Sequence, residues 1–130
     1  MLDNTIQRLY NIIVGGNDMN LHHYKTSGGK DLILDYINKL SEAEQLDGLS
    51  VLQKLKHDKI NELIIKPWQG KISEVYFYKH NRIFYVVADG KDMYLLHACR
   101  KQKNKTEKAD SEKVISRAKK IGKLLSKKFI

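Results

Sequence analysis

Residues 97–106 read HACRKQKNKT: a histidine, a lone cysteine, one arginine and three lysines directly after an apolar run. Upstream, Glu74, Tyr76 and Tyr78 stand at alternate positions, as do Arg82, Phe84 and Val86, and then Met93, Leu95, His97 and Cys99. Alternate residues of a strand share one face, so Tyr76, Arg82 and His97 can be gathered on one surface with the lysines at its margin. A site of Arg, Lys, His and Tyr, without paired carboxylates or metal-ligand spacing, suits phosphodiesters. Its cations neutralise the phosphate and the extra charge of the transition state. A histidine or tyrosine moves protons, and aromatic rings stack on bases. Cleavage of RNA through its own 2′-hydroxyl needs no metal and no cofactor.

Each residue also has a plain structural reading. Glu74 reads as an ion-pair partner for Arg82 or for a helix lysine, Cys99 as a small buried apolar residue, and the tyrosines as packing residues. The core is expected to draw on Val75, Phe77, Tyr85, Val87 and Leu96, which leaves Arg82 and His97 toward an open side of the sheet. GGK at 28–30 lacks the length and the Ser/Thr of a phosphate loop and reads as a turn.

Charge supports an anionic partner. Residues 1–96 hold twelve Lys/Arg and twelve Asp/Glu, whereas residues 97–130 hold twelve Lys/Arg against only Glu107, Asp110 and Glu112. The formal charge of +9 therefore resides in the last quarter of the chain. Such segregation favours nucleic acid first, then an acidic protein, then a membrane surface. With 130 residues the chain makes one domain with a core of its own. One cysteine forms no internal disulfide, no signal peptide is evident and no apolar run spans a bilayer, so a soluble cytoplasmic protein is expected.

The elements that must position these residues follow from periodicity. Residues 4–14 read as an amphipathic helix with Ile6, Leu9, Tyr10 and Ile13 on one face and Gly15-Gly16 as its stop. LHHYKT at 21–26 is a short strand. Ile33, Tyr36, Ile37 and Leu40 have helical spacing. Ser41 and Glu44 form a capping box for a second helix, whose inward face is expected to hold Leu46, Leu49, Leu52 or Gln53, and Leu55. After KPWQG the period changes, and Ile72–Tyr78, Arg82–Ala88 and Met93–Ala98 form an antiparallel meander. A last helix carries Val114, Ile115, Ala118, Ile121 and Leu125, with Asp110 and Ser111 as candidate N-caps. Strands and helices that do not alternate argue for α+β, with helices on one face of the sheet and the other face free.

ISEVYF, RIFYVV, LLHACRKQKNKT and SEKVISRAKK, preceded by SGGKDLILDYINKL, resemble the phage-derived, HigB-like branch of the RelE/ParE toxin superfamily. The resemblance spans about residues 21–122 and leaves residues 1–18 as an N-terminal extension. It implies a RelE-like fold, in which a helical hairpin packs on a small antiparallel sheet with a C-terminal helix. It implies the toxin of a type II toxin–antitoxin pair, cleaving mRNA, often in the ribosomal A site, and neutralised by an antitoxin with a helix-turn-helix. The family's conserved positions fall on Glu74, Arg82, Tyr85, His97, Lys101 and Lys105. Tyr76 stands where the family has arginine, Cys99 where it has an aromatic residue and Gln102 where it has a second lysine. On this reading Arg82, His97 and Tyr76 are the catalytic candidates, and Arg100, Lys101, Lys103 and Lys105 hold the substrate's phosphates. Cleavage of free RNA, a ParE-type gyrase inhibitor, and a degenerate member that only binds nucleic acid or antitoxin are the alternatives.

Overall fold

Val, Ile, Tyr and Phe at alternate positions build the sheet, and a computed structural model describes how the helices cover it over residues 18–101 and 106–130. The expected helix at 4–14, with Lys103 and Lys105, lies outside the described residues. The order is β1 (Asn20–His23), α1 (Leu32–Asn38), α2 (Glu42–Lys56), a 3-10 turn (Ile60–Glu62), β2 (Ile64–Gln69), β3 (Ile72–Phe77), β4 (Asn81–Val87), β5 (Asp92–Arg100) and α3 (Lys108–Leu125). The class is α+β, as expected. The sheet runs β1-β5-β4-β3-β2, with β1 parallel to β5 and every other pair antiparallel.

β2 was not among the expected strands. It is an edge strand with Pro67 beside an irregularity in its register, and proline in an otherwise apolar run argues against a strand except at an edge or a bulge.

The sheet is covered on both faces, which corrects the expectation of a free one. Ile33, Ile37, Val51, Leu52 and Leu55 of α1 and α2 pack against Val75, Phe77, Ile83, Tyr85 and Leu95. Val114 and Ala118 of α3, with Phe129, pack on the opposite face against Ile72, Phe84, Val86, Leu96 and Cys99. Val87 is left out of the core, 46% exposed. Because α3 is amphipathic and reaches the sheet by a short connection, its apolar stripe closes most of the face that the α1–α2 hairpin leaves uncovered.

Two further corrections concern the helices. The inward face of α2 is Gly48, Val51, Leu52 and Leu55, while Leu46 and Leu49 point outward. A Cβ on Gly48 would lie 2.9 Å from the Phe77 ring, so this face is the one that can approach the sheet closely. Ser41 caps α2 as expected, accepting from the Glu44 N–H, but the N-cap of α3 is Glu107. Asp110 is thereby released for another contact.

After α3 the chain turns back through Ser126, whose φ is 55°, and Phe129 lies beneath the β2–β3 turn. The Lys71 N–H donates to the Phe129 carbonyl at 2.7 Å. Gly70 sits in that turn at φ +53°, where a Cβ would meet the Phe129 oxygen at 2.3 Å. Gly70→Ala should therefore cost about 1–3 kcal/mol of stability. Urea unfolding followed through Trp68, the one tryptophan, measures it, and an unchanged midpoint would show that the tail does not depend on this turn.

Candidate nucleic-acid interface

The register of the sheet aligns the candidate residues in two rows across four strands. One row runs Lys66, Glu74, Phe84, His97, and the next runs Ile64, Tyr76, Arg82, Cys99. Both face the α3 side. α3 covers the β4–β5 end of the rows, so Arg82 and His97 are buried, contrary to their expected place on an open side. Tyr76 and the side chains of β2 lie beyond its cover, half-buried or exposed.

The strict alternation expected along β5 does not hold. A β-bulge where the β4–β5 register shifts between Phe84 and Tyr85 places Leu95 opposite Tyr85 and His97 opposite Phe84. Leu96 and His97 consequently both turn to the α3 side, and Met93 and Leu95 join Ala98 on the other. An inserted residue reverses the facing of everything after it, and neighbouring side chains of mixed polarity conceal it in the sequence.

Beneath Tyr76 lies a buried ion pair. Arg82 donates through Nη1 to Glu74 Oε2 at 2.8 Å, with side chains 2% and 7% exposed. The guanidinium also lies over the Phe84 ring at 5.2 Å. The other Glu74 oxygen, Oε1, accepts the Tyr76 hydroxyl. Arg82 Nε is buried without an acceptor among the described residues, so donor capacity is left over at the base of the site. Two ammonium groups flank the Tyr76 ring, Lys66 Nζ at 5.3 Å and Lys101 Nζ at 5.4 Å from its centroid. Lys101 also donates to the hydroxyl at 3.4 Å. Partial burial, and then the hydrogen bond to Glu74, push the Tyr76 phenol up to about 12. It therefore keeps its proton at neutral pH and is equipped as a donor.

His97 forms a separate cluster under α3. Its Nε2 lies 2.7 Å from Asp110 Oδ1 and its Nδ1 lies 3.0 Å from Arg117 Nη1, which also donates to the Leu96 carbonyl at 3.0 Å. Arginine can only donate. Nδ1 is thus the acceptor, Nε2 carries the proton, and the imidazole is neutral. Burial holds its pKa below the ordinary value, outweighing the pull of Asp110. With both nitrogens engaged, His97 joins β5 to α3 and is not presented to a substrate.

His97, Cys99 and Asp110 also bring three potential ligand atoms within 4.8 Å of one another. The proton positions oppose a metal there. A cation on Nε2 would require the proton on Nδ1, where it would face the Arg117 donor. Burial has also pushed the Cys99 thiol up to about 11, far from the thiolate that a metal binds.

Of the residues expected to act together, the fold joins Tyr76, Arg82 and Lys101. Arg100 is turned to the opposite face of the sheet, where it pairs with Glu44 at 2.7 Å. Lys66 and Arg117 were not anticipated. Lys66 follows from β2, the overlooked strand, and Arg117 lies one helical face from Asp110, a spacing of seven that marks a shared side of a helix. The expected Glu74–Arg82 pairing is present. Thr106 is held to β2 by Trp68 Nε1 donating to its Oγ1 at 3.1 Å.

The family profile described as Phage derived protein Gp49-like (DUF891) matches residues 35–119, more than half of the chain. The chain belongs to the Gp49-like family of phage-derived proteins. This is a RelE/toxin-like family, and the match takes in every residue of the site described above. No curated protein matches the chain. Among the described residues no helix is long and apolar enough to cross a membrane.

Two measurements test the electrostatics of this Gp49-like domain. Arg82→Met should cost about 3–5 kcal/mol by leaving Glu74 buried and unpaired. The double variant Glu74→Leu with Arg82→Met should be more stable than Arg82→Met alone, and additive losses would show that the two side chains act independently. For His97, the unfolded chain takes up a proton near the ordinary value of about 6.5, whereas the folded chain does so only at lower pH. Stability linked to His97 is thus present above that value and is lost as pH falls from 7 toward 5. Thermal melts across that range should lose this slope in His97→Gln.

Proposed function

We propose that this protein is the HigB-like toxin of a type II toxin–antitoxin pair, a metal-independent endoribonuclease that cuts mRNA in the ribosomal A site. The observation that carries the reading is the Tyr76 hydroxyl, held by Glu74 over the Arg82 ion pair and flanked by Lys66 and Lys101. Lys101 opens the lysine-rich stretch of the sequence. Membership of a RelE/toxin-like family is compatible with that role.

In the proposed reaction the ribose 2′-hydroxyl gives its proton to solvent water and attacks the adjacent phosphorus, the bond from phosphorus to the 5′-oxygen breaks, and a 2′,3′-cyclic phosphate and a 5′-hydroxyl remain. Lys66 and Lys101 stabilise the doubly charged transition state. Tyr76, protonated at working pH, turns its hydroxyl from Glu74 to deliver its proton to the departing 5′-oxygen and regains one from solvent. Arg82 acts from below by pairing with Glu74, which orients the phenol, and His97 acts by fixing α3 over the sheet. Lys103 and Lys105 supply phosphate contacts from the loop. A cognate antitoxin with a helix-turn-helix neutralises the toxin by laying an acidic segment over the same basic surface. The protein acts in the cytoplasm.

Inducible expression in bacteria with mapping of mRNA 5′ ends tests this. Cuts within reading frames and arrested translation are expected. Tyr76→Phe, which loses only the proton donor, should reduce cleavage by roughly 10²-fold while ribosome binding persists, and Lys101→Ala should weaken both. Intact mRNA at confirmed expression would overturn the reading, and DNA damage signalling without mRNA cuts would point to gyrase inhibition.

A further inference from the structure

A second feature on the α3 side lies at the opposite edge of the sheet from Tyr76. β1 and the C-terminal half of α3 enclose a groove of about 200 Å³, lined in part by His22, Lys25, Tyr94, Lys120, Ile121 and Leu124. Its floor is a ring stack. His22 and Tyr94 are cross-strand partners in the parallel β1–β5 register, and their rings lie 4.5 Å apart at 16°. Asp92 holds the imidazole in place, with its Oδ1 2.8 Å from His22 Nε2. The stack is therefore set before any ligand arrives.

The surroundings specify what the groove would take. The side chain of His22 is 44% exposed, so the imidazole remains accessible although Tyr94 covers one of its faces. Ile121 and Leu124 supply an apolar wall, and Leu124 is left 74% exposed at the rim. Lys25 and Lys120 are exposed at the mouth, and the carboxylate nearest the stack, Asp92, is engaged by His22. A planar ring that carries negative charge matches this arrangement. The room available equals that of roughly seven waters, which suits one nucleobase and excludes a folded element of a partner.

We propose that this groove is a second RNA subsite, in which an unpaired base stacks on the His22–Tyr94 pair while Lys25 and Lys120 hold its phosphate. The proposal rests on the reading that the protein acts on RNA. It adds a contact that the Tyr76 site does not make. A base stacked beyond α3 fixes how the strand crosses the helix, and it gives affinity with little sequence preference because every base has a π face. α3 adds further exposed lysines, among them Lys113 and Lys123.

The experiment uses the full chain and a 2′-O-methyl RNA hexamer, which binds but has no free 2′-hydroxyl for cleavage, with adenosine 5′-monophosphate in a parallel arm. NMR signals of the His22 ring and the Leu124 methyls should move upfield as the hexamer is added, by the ring current of the stacked base. Lys120→Glu and Leu124→Glu, both at exposed positions, should weaken hexamer binding by roughly tenfold or more, and Tyr76→Phe should leave these groove signals responding as in the unaltered protein. No perturbation at His22 and Leu124, or unaltered affinity in both groove variants, would overturn the proposal. So would a response to the mononucleotide without one to the hexamer, which would make the groove a free-nucleotide site. If Tyr76→Phe abolishes mRNA cleavage while the groove stays silent, the subsite fails and the toxin reading stands. A groove that binds the hexamer in a protein that leaves mRNA intact would retain the subsite and remove the toxin reading.

Discussion

Glu74 and Arg82 carry opposite charges where almost no water reaches, and the rest of the site is arranged around that fact. A buried charge is tolerated only when paired and hydrogen-bonded. Arg82 spends Nη1 on Glu74, and Glu74 has one oxygen left, which the Tyr76 hydroxyl fills. The pair thereby determines where the phenol points. Without Arg82 beneath it, a carboxylate between β3 and the edge strand would be a liability. With Arg82 it becomes an acceptor that orients the Tyr76 hydroxyl at the edge of the covered face.

α3 decides how much of this assembly is covered. The helix reaches only the β4–β5 side of the rows, held there by Val114 and Ala118 in the core and by the contacts of Asp110 and Arg117 to His97. The result is a gradient across the face, from His97, fully engaged under the helix, through buried Arg82, to Tyr76 at the boundary and Lys66 and Lys101 outside it. Polar groups at such a boundary sit in a reduced dielectric and still meet a ligand, where charge is most effective. His97 is thus a strut, and the chemistry falls to the residues just beyond the edge of the helix.

Much of this was legible in the chain itself. The α+β class, the α1–α2 hairpin, three strands of the meander and the capping box at Ser41 follow from short-range periodicity and side-chain hydrogen bonding, which act over a few residues. The pairing of Glu74 with Arg82 was also readable, because two charges among aromatic residues on adjacent strands have few other ways to be buried. The segregation of positive charge toward residues 97–130 is a property of the sequence alone.

What tertiary structure decided were the facings. The bulge that turns both Leu96 and His97 toward α3 depends on how β5 pairs with β4. The outward position of Leu46 and Leu49 depends on how closely Gly48 can approach Phe77, and the covering of the second face depends on where α3 comes to rest. Arg100 and Lys101 are adjacent in the chain and chemically alike, yet the pleat sends one to Glu44 and the other to Tyr76. Periodicity states that neighbours in a strand point apart. Which of them meets the site is set by packing between elements distant in sequence, and no local pattern encodes that choice.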